Sequence, residues 1–324
     1  MSLSAFGVSG IVSGALRRFG PLLALVLMCA ALSLLSEHFL TLENLLNVFR
    51  QSSVNALLAL GQLTVIVTAG IDLSVGSLLG LCTVLAAMAL KAGAPPGAAI
   101  FLALAAGASL GALNGVLYTK LRLPHPFIPT LGMMNVARGL ALVLTGGFPI
   151  SELPAGFRLW GAGALFGVPM PVVVVLVFCV LFHLFLTRTV PGRDLYAIGG
   201  NRQAALLCGV PVDRRLILAY ALSGLMAGAG AVLLAGRMNS GFPLAGVGAE
   251  LDSIAAVIIG GASFFGGVGT VLGTLVGALI MGVLRNGLNL LDVSAYWQTV
   301  VIGAVIVAAV WVDVVRQRAA QRSS

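Results

Sequence analysis

The sequence predicts an all-α polytopic membrane protein of about ten transmembrane helices, and three observations predict it. Of 324 residues, 59% are hydrophobic and only 9% are charged, whereas a soluble domain carries about 25% charged residues. Apolar residues come in runs of about twenty, the length a helix needs to cross a bilayer, and not in the period-two alternation of a membrane β-barrel. Forty-two glycines suit helices whose backbones approach closely.

The runs give ten spans, at roughly 19–36, 45–69, 74–91, 97–119, 126–146, 168–187, 215–236, 251–266, 269–286 and 295–313. Arg17 and Arg18 precede the first run in the manner of a secretory signal, but no small-x-small cleavage site follows, so the run reads as an uncleaved span. The eighth and ninth are divided only by the glycines of "GGASFFGGVG". With the N-terminus in the cytoplasm, Arg17/Arg18, Lys120/Arg122, the cluster from Arg188 to Arg215, and Arg316/Arg318/Arg322 all fall inside. Outside lies a mixture of both signs: Glu37, Glu43, Lys91, Glu152, Arg158, Arg237, Glu250 and Asp292. That asymmetry is the positive-inside pattern. It accounts for the net charge of +8 without nucleic acid as a partner, and with an even span number it puts both termini inside. Three parts follow: a cytoplasmic segment 1–18, a single membrane domain 19–313 with a cytoplasmic loop 188–215, and a cytoplasmic tail 314–324.

Two segments resemble each other, "GASLGALNGVL" (107–117) and "GTLVGALIMGVL" (273–284), the second with one residue inserted. Helices with Gly-x-x-x-Gly look alike everywhere, yet repeated halves are also common in transporters, with the substrate path at their junction.

The loop "TRTVPGRDLYAIGGNRQAALLCGVPVDRR" (187–215) is punctuated. Pro191-Gly192 breaks the preceding helix, Asn201 is a good N-cap for a short helix over about 202–208, Gly209 suits the C′ position, and Pro211 blocks continuation. This helix is either a plain interfacial one or a docking surface for a cytoplasmic protein, and its compact, capped form favours docking.

Within the membrane, Arg138 costs about 2.5–3.5 kcal/mol on insertion scales and is expected to face the bundle interior or a water-filled cavity. Asn114 and Asn135 read first as interhelical hydrogen-bonding groups. Pro124, Pro126 and Pro129 impose extended or kinked backbone at the entry to the fifth span. Glu250 and Asp252 either complement a helix N-terminus or act as an outer gate or partner contact. In "TAGIDLSVGS" (68–77), Gly70 and Gly76 allow a sharp reversal, and Asp72 and Ser74 are expected to cap the third span.

Catalysis is poorly supported. His38, His125 and His183 are far apart and form no plausible constellation with a carboxylate or a nucleophile. The cysteines Cys29, Cys82, Cys179 and Cys208 are scattered singly and lack metal or disulfide spacing. Neither lysine, Lys91 or Lys120, follows a glycine, so the chain has no phosphate-binding loop. Any nucleotide is bound by another chain.

The motifs "GIDLSVGS", "HPFIPTLGMMNVARGLALVLTGG", "YAIGGNRQAALLCGV", "ELDSIAAVIIGGASFFGGVGTVLGTLVGALI" and "VLRNGLNLL" together resemble the membrane permease of bacterial ABC sugar importers, the ribose-type group. The resemblance runs from about residue 40 to the last span. It implies a type II importer fold like that of vitamin B12 importers, in the bacterial inner membrane, with two permease chains (a homodimer or a related pair) forming the path. A periplasmic sugar-binding protein and a cytoplasmic ATP-binding subunit carrying ATP and Mg complete the assembly; the permease itself holds no cofactor. Gly199, Gly200, Asn201, Ala204, Ala205 and Gly209 match the ATPase-coupling segment. Arg202 stands where an acidic or polar residue is frequent, and Cys208 where a serine is usual. Asp72, Ser74, Asn114, Phe127, Arg138, Glu250 and Asp252 are the candidates for the translocation path or its gating. The alternatives are a branched-chain amino-acid or nucleoside permease of the same superfamily, or a secondary transporter using Asp72 and Arg138.

Overall fold

In the computed structural model, residues 5–321 are described, with side chains from 20 to 315. The side chains of Arg17, Arg18, Arg316, Arg318 and Arg322 lie outside this range. The element order is α1 (Ala5–Leu35), α2 (Leu42–Ile66), α3 (Val75–Lys91), α4 (Pro96–Lys120), α5 (Phe127–Thr145), β1 (Ile150–Ser151), α6 (Ala155–Ala162), β2 (Ala164–Leu165), β3 (Val168–Pro169), α7 (Met170–Arg188), α8 (Val190–Gly200), α9 (Arg202–Leu207), α10 (Val212–Met238), β4 (Ser240–Gly241), α11 (Ala249–Ile259), α12 (Val271–Leu290) and α13 (Ala295–Gln321). Each apolar run read as a span is helical in whole or part, and among the described residues six helices are long and apolar enough to cross a membrane by length and composition. The run expected at 251–266 forms only α11, because Gly260 and Gly261 end the helix, the latter at φ +94°.

The helices pack through missing side chains. On α4, Gly107, Gly111 and Gly115 recur every four residues and lie against α10: a Cβ on them would overlap Gly224 O, Tyr220 O and Ile217 Cα respectively. Reciprocally, Gly224 and Gly228 of α10 abut Gly107 O and Ala103 O. Backbones this close gain dispersion contacts where lipid supplies no hydrophobic drive. In the centre, α2 is buried from Ala56 to Ile66 and joins the two main cores. One gathers α2, α7, α10, α11 and α12, the other α3, α4, α5, α6 and α10.

Two non-helical stretches enter the bundle. After α10 stops at Asn239 (φ +55°), β4 pairs antiparallel with β1, and the chain then runs along α3 toward its start. Phe242 N donates to Thr83 Oγ1 at 3.1 Å, and Gly246 sits against Gly76 O. The short α11 therefore begins inside the bundle. The second stretch, residues 67–74, links α2 to α3. Its left-handed residue is Ala69 (φ +61°), not Gly70 as the sequence suggests. Gly70 is small for another reason: a Cβ there would lie 2.9 Å from Tyr220 Oη.

Candidate functional site

Asp72 is fully buried, as are Ser74, Asn114 and Ser223. Its Oδ1 accepts from Ser74 N at 2.9 Å and Ser74 Oγ at 2.6 Å, and its Oδ2 accepts from Ser223 Oγ at 2.8 Å. Asn114 Nδ2 donates to Ser74 Oγ at 2.9 Å, and Gln62 Nε2 donates to Asp72 O at 3.2 Å. Four elements thus meet around Asp72: its carboxylate joins the 67–74 stretch to α10, while α2 bonds its main-chain carbonyl and α4 bonds Ser74 Oγ. Ser223 lies about 16 Å along α10 from its first residue, well inside the bundle. The expected cap is corrected accordingly. Ser74 is the N-cap of α3 but makes no side-chain cap bond, and Asp72 captures only the N–H of Ser74 itself. Its other oxygen crosses to α10. The Asn114 bond does cross between elements as expected, whereas Asn135 is exposed and donates only to Leu131 O of its own helix.

Arg138, half-buried on α5, donates through Nη1 to Pro243 O at 2.6 Å and Ala245 O at 2.8 Å. Gly80 of α3 makes the passage: a Cβ there would lie 2.7 Å from Arg138 Nη1 and 2.8 Å from Ala245 O. The guanidinium thereby satisfies two carbonyls that a non-helical backbone would otherwise leave bare in an apolar setting. Glu250 and Asp252 open α11, where carboxylates complement the helix dipole. Glu250 reaches toward Gly76, and Asp252 forms an ion pair with Arg285 of α12. No sequence pattern linked Arg285 to Asp252. Phe127 is the first residue of α5, exposed, with its ring edge-on to His125 at 5.8 Å.

The other predicted set lies against the same C-terminal end of α2, where Gly199 packs on Val67. The loop holds two helices where one was expected. Pro191 does not end a helix; it sits in the first turn of α8, a position that needs no N–H, and Thr189 Oγ1 caps it by accepting from Gly192 N at 3.1 Å. Asn201 caps α9 as expected, accepting from Ala204 N at 2.9 Å, and Gly209 follows at φ +80°. A Cβ on Gly199 would lie 2.5 Å from Gly267 N and overlap Val67 O; these two atoms hydrogen-bond at 2.9 Å. Gly200, in contrast, faces open space. Tyr196 Oη donates to Gly269 O at 2.9 Å, and burial pushes this phenol upward. Phe264 N of the same 260–270 loop donates to Asp313 Oδ2 at 3.0 Å. So α8 grips the end of α2, the turn after α11 and, through that turn, α13. Arg202 donates to Tyr118 Oη at 2.9 Å and stacks on its ring. On α9, Ala205 is buried, while Ala204 and Leu206 are exposed and Leu207 is 90% exposed.

A family model described as "Branched-chain amino acid transport system / permease component" matches residues 44–310. The chain belongs to this permease family. The permease is 45% identical over 302 residues to the ribose import permease protein RbsC of Bacillus subtilis (strain 168), covering 93% of this chain and 94% of the relative. It is 45% identical over 297 residues to RbsC of Escherichia coli (strain K12), with 90% and 92% covered. It is 39% identical over 298 residues to the D-allose transport system permease protein AlsC of the same strain, with 91% of each covered. No solved structure matches the permease.

Proposed function

We propose that this chain is the membrane permease subunit of an ATP-driven importer that moves a monosaccharide across the bacterial inner membrane. The observation that carries the reading is the 45% identity, over nine-tenths of the chain, to ribose import permeases of two bacteria. The family description names amino acids, but the similar permeases are named for ribose, allose, xylose and galactose, which favours a sugar over a branched-chain amino acid.

The chain crosses the membrane ten times, with α1–α5, α7, α10, α12 and α13 as nine crossings and the non-helical stretch 240–248 together with α11 as the tenth, in a fold of the vitamin B12 importer type with both termini cytoplasmic. Two such chains line the path. The absence of any glycine-preceded lysine supports ATP and Mg being held by a separate cytoplasmic subunit, and a periplasmic protein delivers the sugar. The exposed Leu206 and Leu207 on a capped, two-sided helix support α9 as the docking point. Because α8 is wedged between the end of α2 and the 260–270 loop, movement of α8–α9 on ATP binding shifts α2, α11 and α13 together. Asp72 and Arg138 gate in that mechanism as pins: each ties a non-helical stretch to helices that must move as one body.

The test is ATP-dependent uptake by proteoliposomes holding the complete importer, with D-ribose, D-allose and L-leucine as candidates. Sugar uptake that stops without ATP is expected. Uptake of leucine alone would overturn the sugar reading. In the same system, Asn201→Ala and Gly209→Val are expected to abolish coupling while leaving membrane insertion intact, and unchanged uptake would remove the coupling role.

A further inference from the structure

A cavity of about 160 Å³ lies between α2, α11 and α12, beside the Asp252–Arg285 pair and apart from the Asp72 cluster and the α8–α9 loop. Its polar lining is Gln51, Ser52, Asn55, Asp252 and Arg285, with Gly282 forming part of the α12 wall. Gln51 to Asn55 lie about 14 to 20 Å along α2, a helix about 38 Å long, so the cavity sits near half-depth. Ser52 is 4% exposed, and neither its Oγ nor Asn55 Oδ1 has a hydrogen-bond partner. Unpaired polar atoms in a buried position are costly, and two of them on one cavity wall point to a ligand that supplies the missing bonds.

Size and charge narrow the class. An apolar cavity of about 150 Å³ accepts a six-membered carbon ring, and this one has the same scale with a polar lining. Asp252 and Arg285 neutralise each other, so neither an anion nor a cation is favoured. A carboxylate that accepts beside a guanidinium that donates complements adjacent hydroxyl groups, which do both.

We propose that this cavity is a binding site for a neutral polyhydroxylated ring, through which the permease recognises its sugar by hydroxyl hydrogen bonds from Asn55, Ser52 and the Asp252–Arg285 pair. The inference rests on the sugar-importer reading and deepens it. Room at the site comes from Gly282, since a Cβ there would overlap Ser52 Oγ.

The test compares a sugar with its deoxy analogue in proteoliposomes of the complete importer at saturating binding protein. Asn55→Ala and Gln51→Ala are expected to lower D-ribose uptake about five- to tenfold, the effect of one or two lost hydrogen bonds, and to lower 2-deoxy-D-ribose uptake less. If D-allose is the transported sugar, it and a deoxy analogue replace that pair. A second measurement does not depend on variant uptake: the thiol of Ser52→Cys, alkylated by a small maleimide, is expected to react several-fold more slowly with the sugar present. Equal losses for both sugars, or no loss, with alkylation indifferent to sugar, would overturn the site while the wild type still transports. If the wild type moves neither ribose nor allose, the sugar reading itself fails.

Discussion

The two glycine-patterned helices, α4 and α12, carry nearly the same sequence and do different things with it. In α4 the glycines at 107, 111 and 115 turn only about 40° from one to the next, and all three meet α10. In α12 the corresponding glycines are 273, 277 and 282, and the inserted residue turns the last one by about a further 100°. Gly273 and Gly277 meet Gly260 O and Ala256 O at the end of α11, but Gly282 meets Ser52 of α2. The first helix makes an uninterrupted dry seam. The second starts a seam against α11, has its last glycine turned toward α2 by the inserted residue, and borders the polar cavity there. One inserted residue separates a structural joint from a place where a ligand fits.

The largest expected effect comes from breaking the uninterrupted seam. Gly111→Val puts a branched side chain against the Tyr220 carbonyl, with Gly224 Cα 3.0 Å from the Cβ position, and neither backbone has a flexible end that yields. A loss of at least about 3 kcal/mol is expected, read as failure to recover monodisperse protein in detergent. Asp72→Ala comes next. It leaves Ser74 N–H and the hydroxyls of Ser74 and Ser223 short of an acceptor in a fully buried place, for about 3 kcal/mol. Asp72→Asn keeps one oxygen and is expected to cost about half as much. Both are read from thermal melting, and a fully stable Asp72→Asn protein with altered sugar selectivity would turn the pin into a ligand contact.

The contrast within α12 is sharper still. Gly277→Ala meets backbone at Ala256 and is expected to cost about 2 kcal/mol. Gly282→Ala overlaps the Ser52 hydroxyl, which can rotate into the cavity, and lies 3.0 Å from Ser52 Cβ, so a cost under about 1 kcal/mol is expected, smaller still in the Ser52→Ala background. Equal costs for the two alanines would mean that α12 forms one continuous seam like α4.

Local features of this chain were legible in the sequence, and features made by distant contacts were not. The Asn201 cap and the left-handed Gly209 depend on neighbours within a few residues, and both stand where the pattern puts them. The glycine repeat was visible, but its consequence was not, since it depends on which helix lies opposite. "NSGFPLAGVG" contains nothing that says it lies along α3 with its carbonyls on Arg138, over a hundred residues away. Asp72 was recognisable as a marked residue, yet its role needed Ser223 from a helix near position 220. The second loop helix, α8, was missed for a simpler reason. Proline followed by glycine reads as a helix break, whereas proline after a capping threonine starts one.

The smallest expected effect on stability belongs to the surface farthest from these seams. Leu207 is 90% exposed and Leu206 55%, on a helix whose buried side is held by Ala205 and whose ends are fixed by Asn201 and Gly209. Leu207→Asp removes no internal contact of consequence and is expected to change stability by less than about 0.5 kcal/mol. If α9 docks on an ATP-binding subunit, the same change buries a charge in that interface and is expected to abolish co-purification of the two chains. A melting temperature equal to wild type together with a lost partner would separate docking from folding, which no substitution in either glycine seam can do. Retained co-purification would move the docking surface off α9.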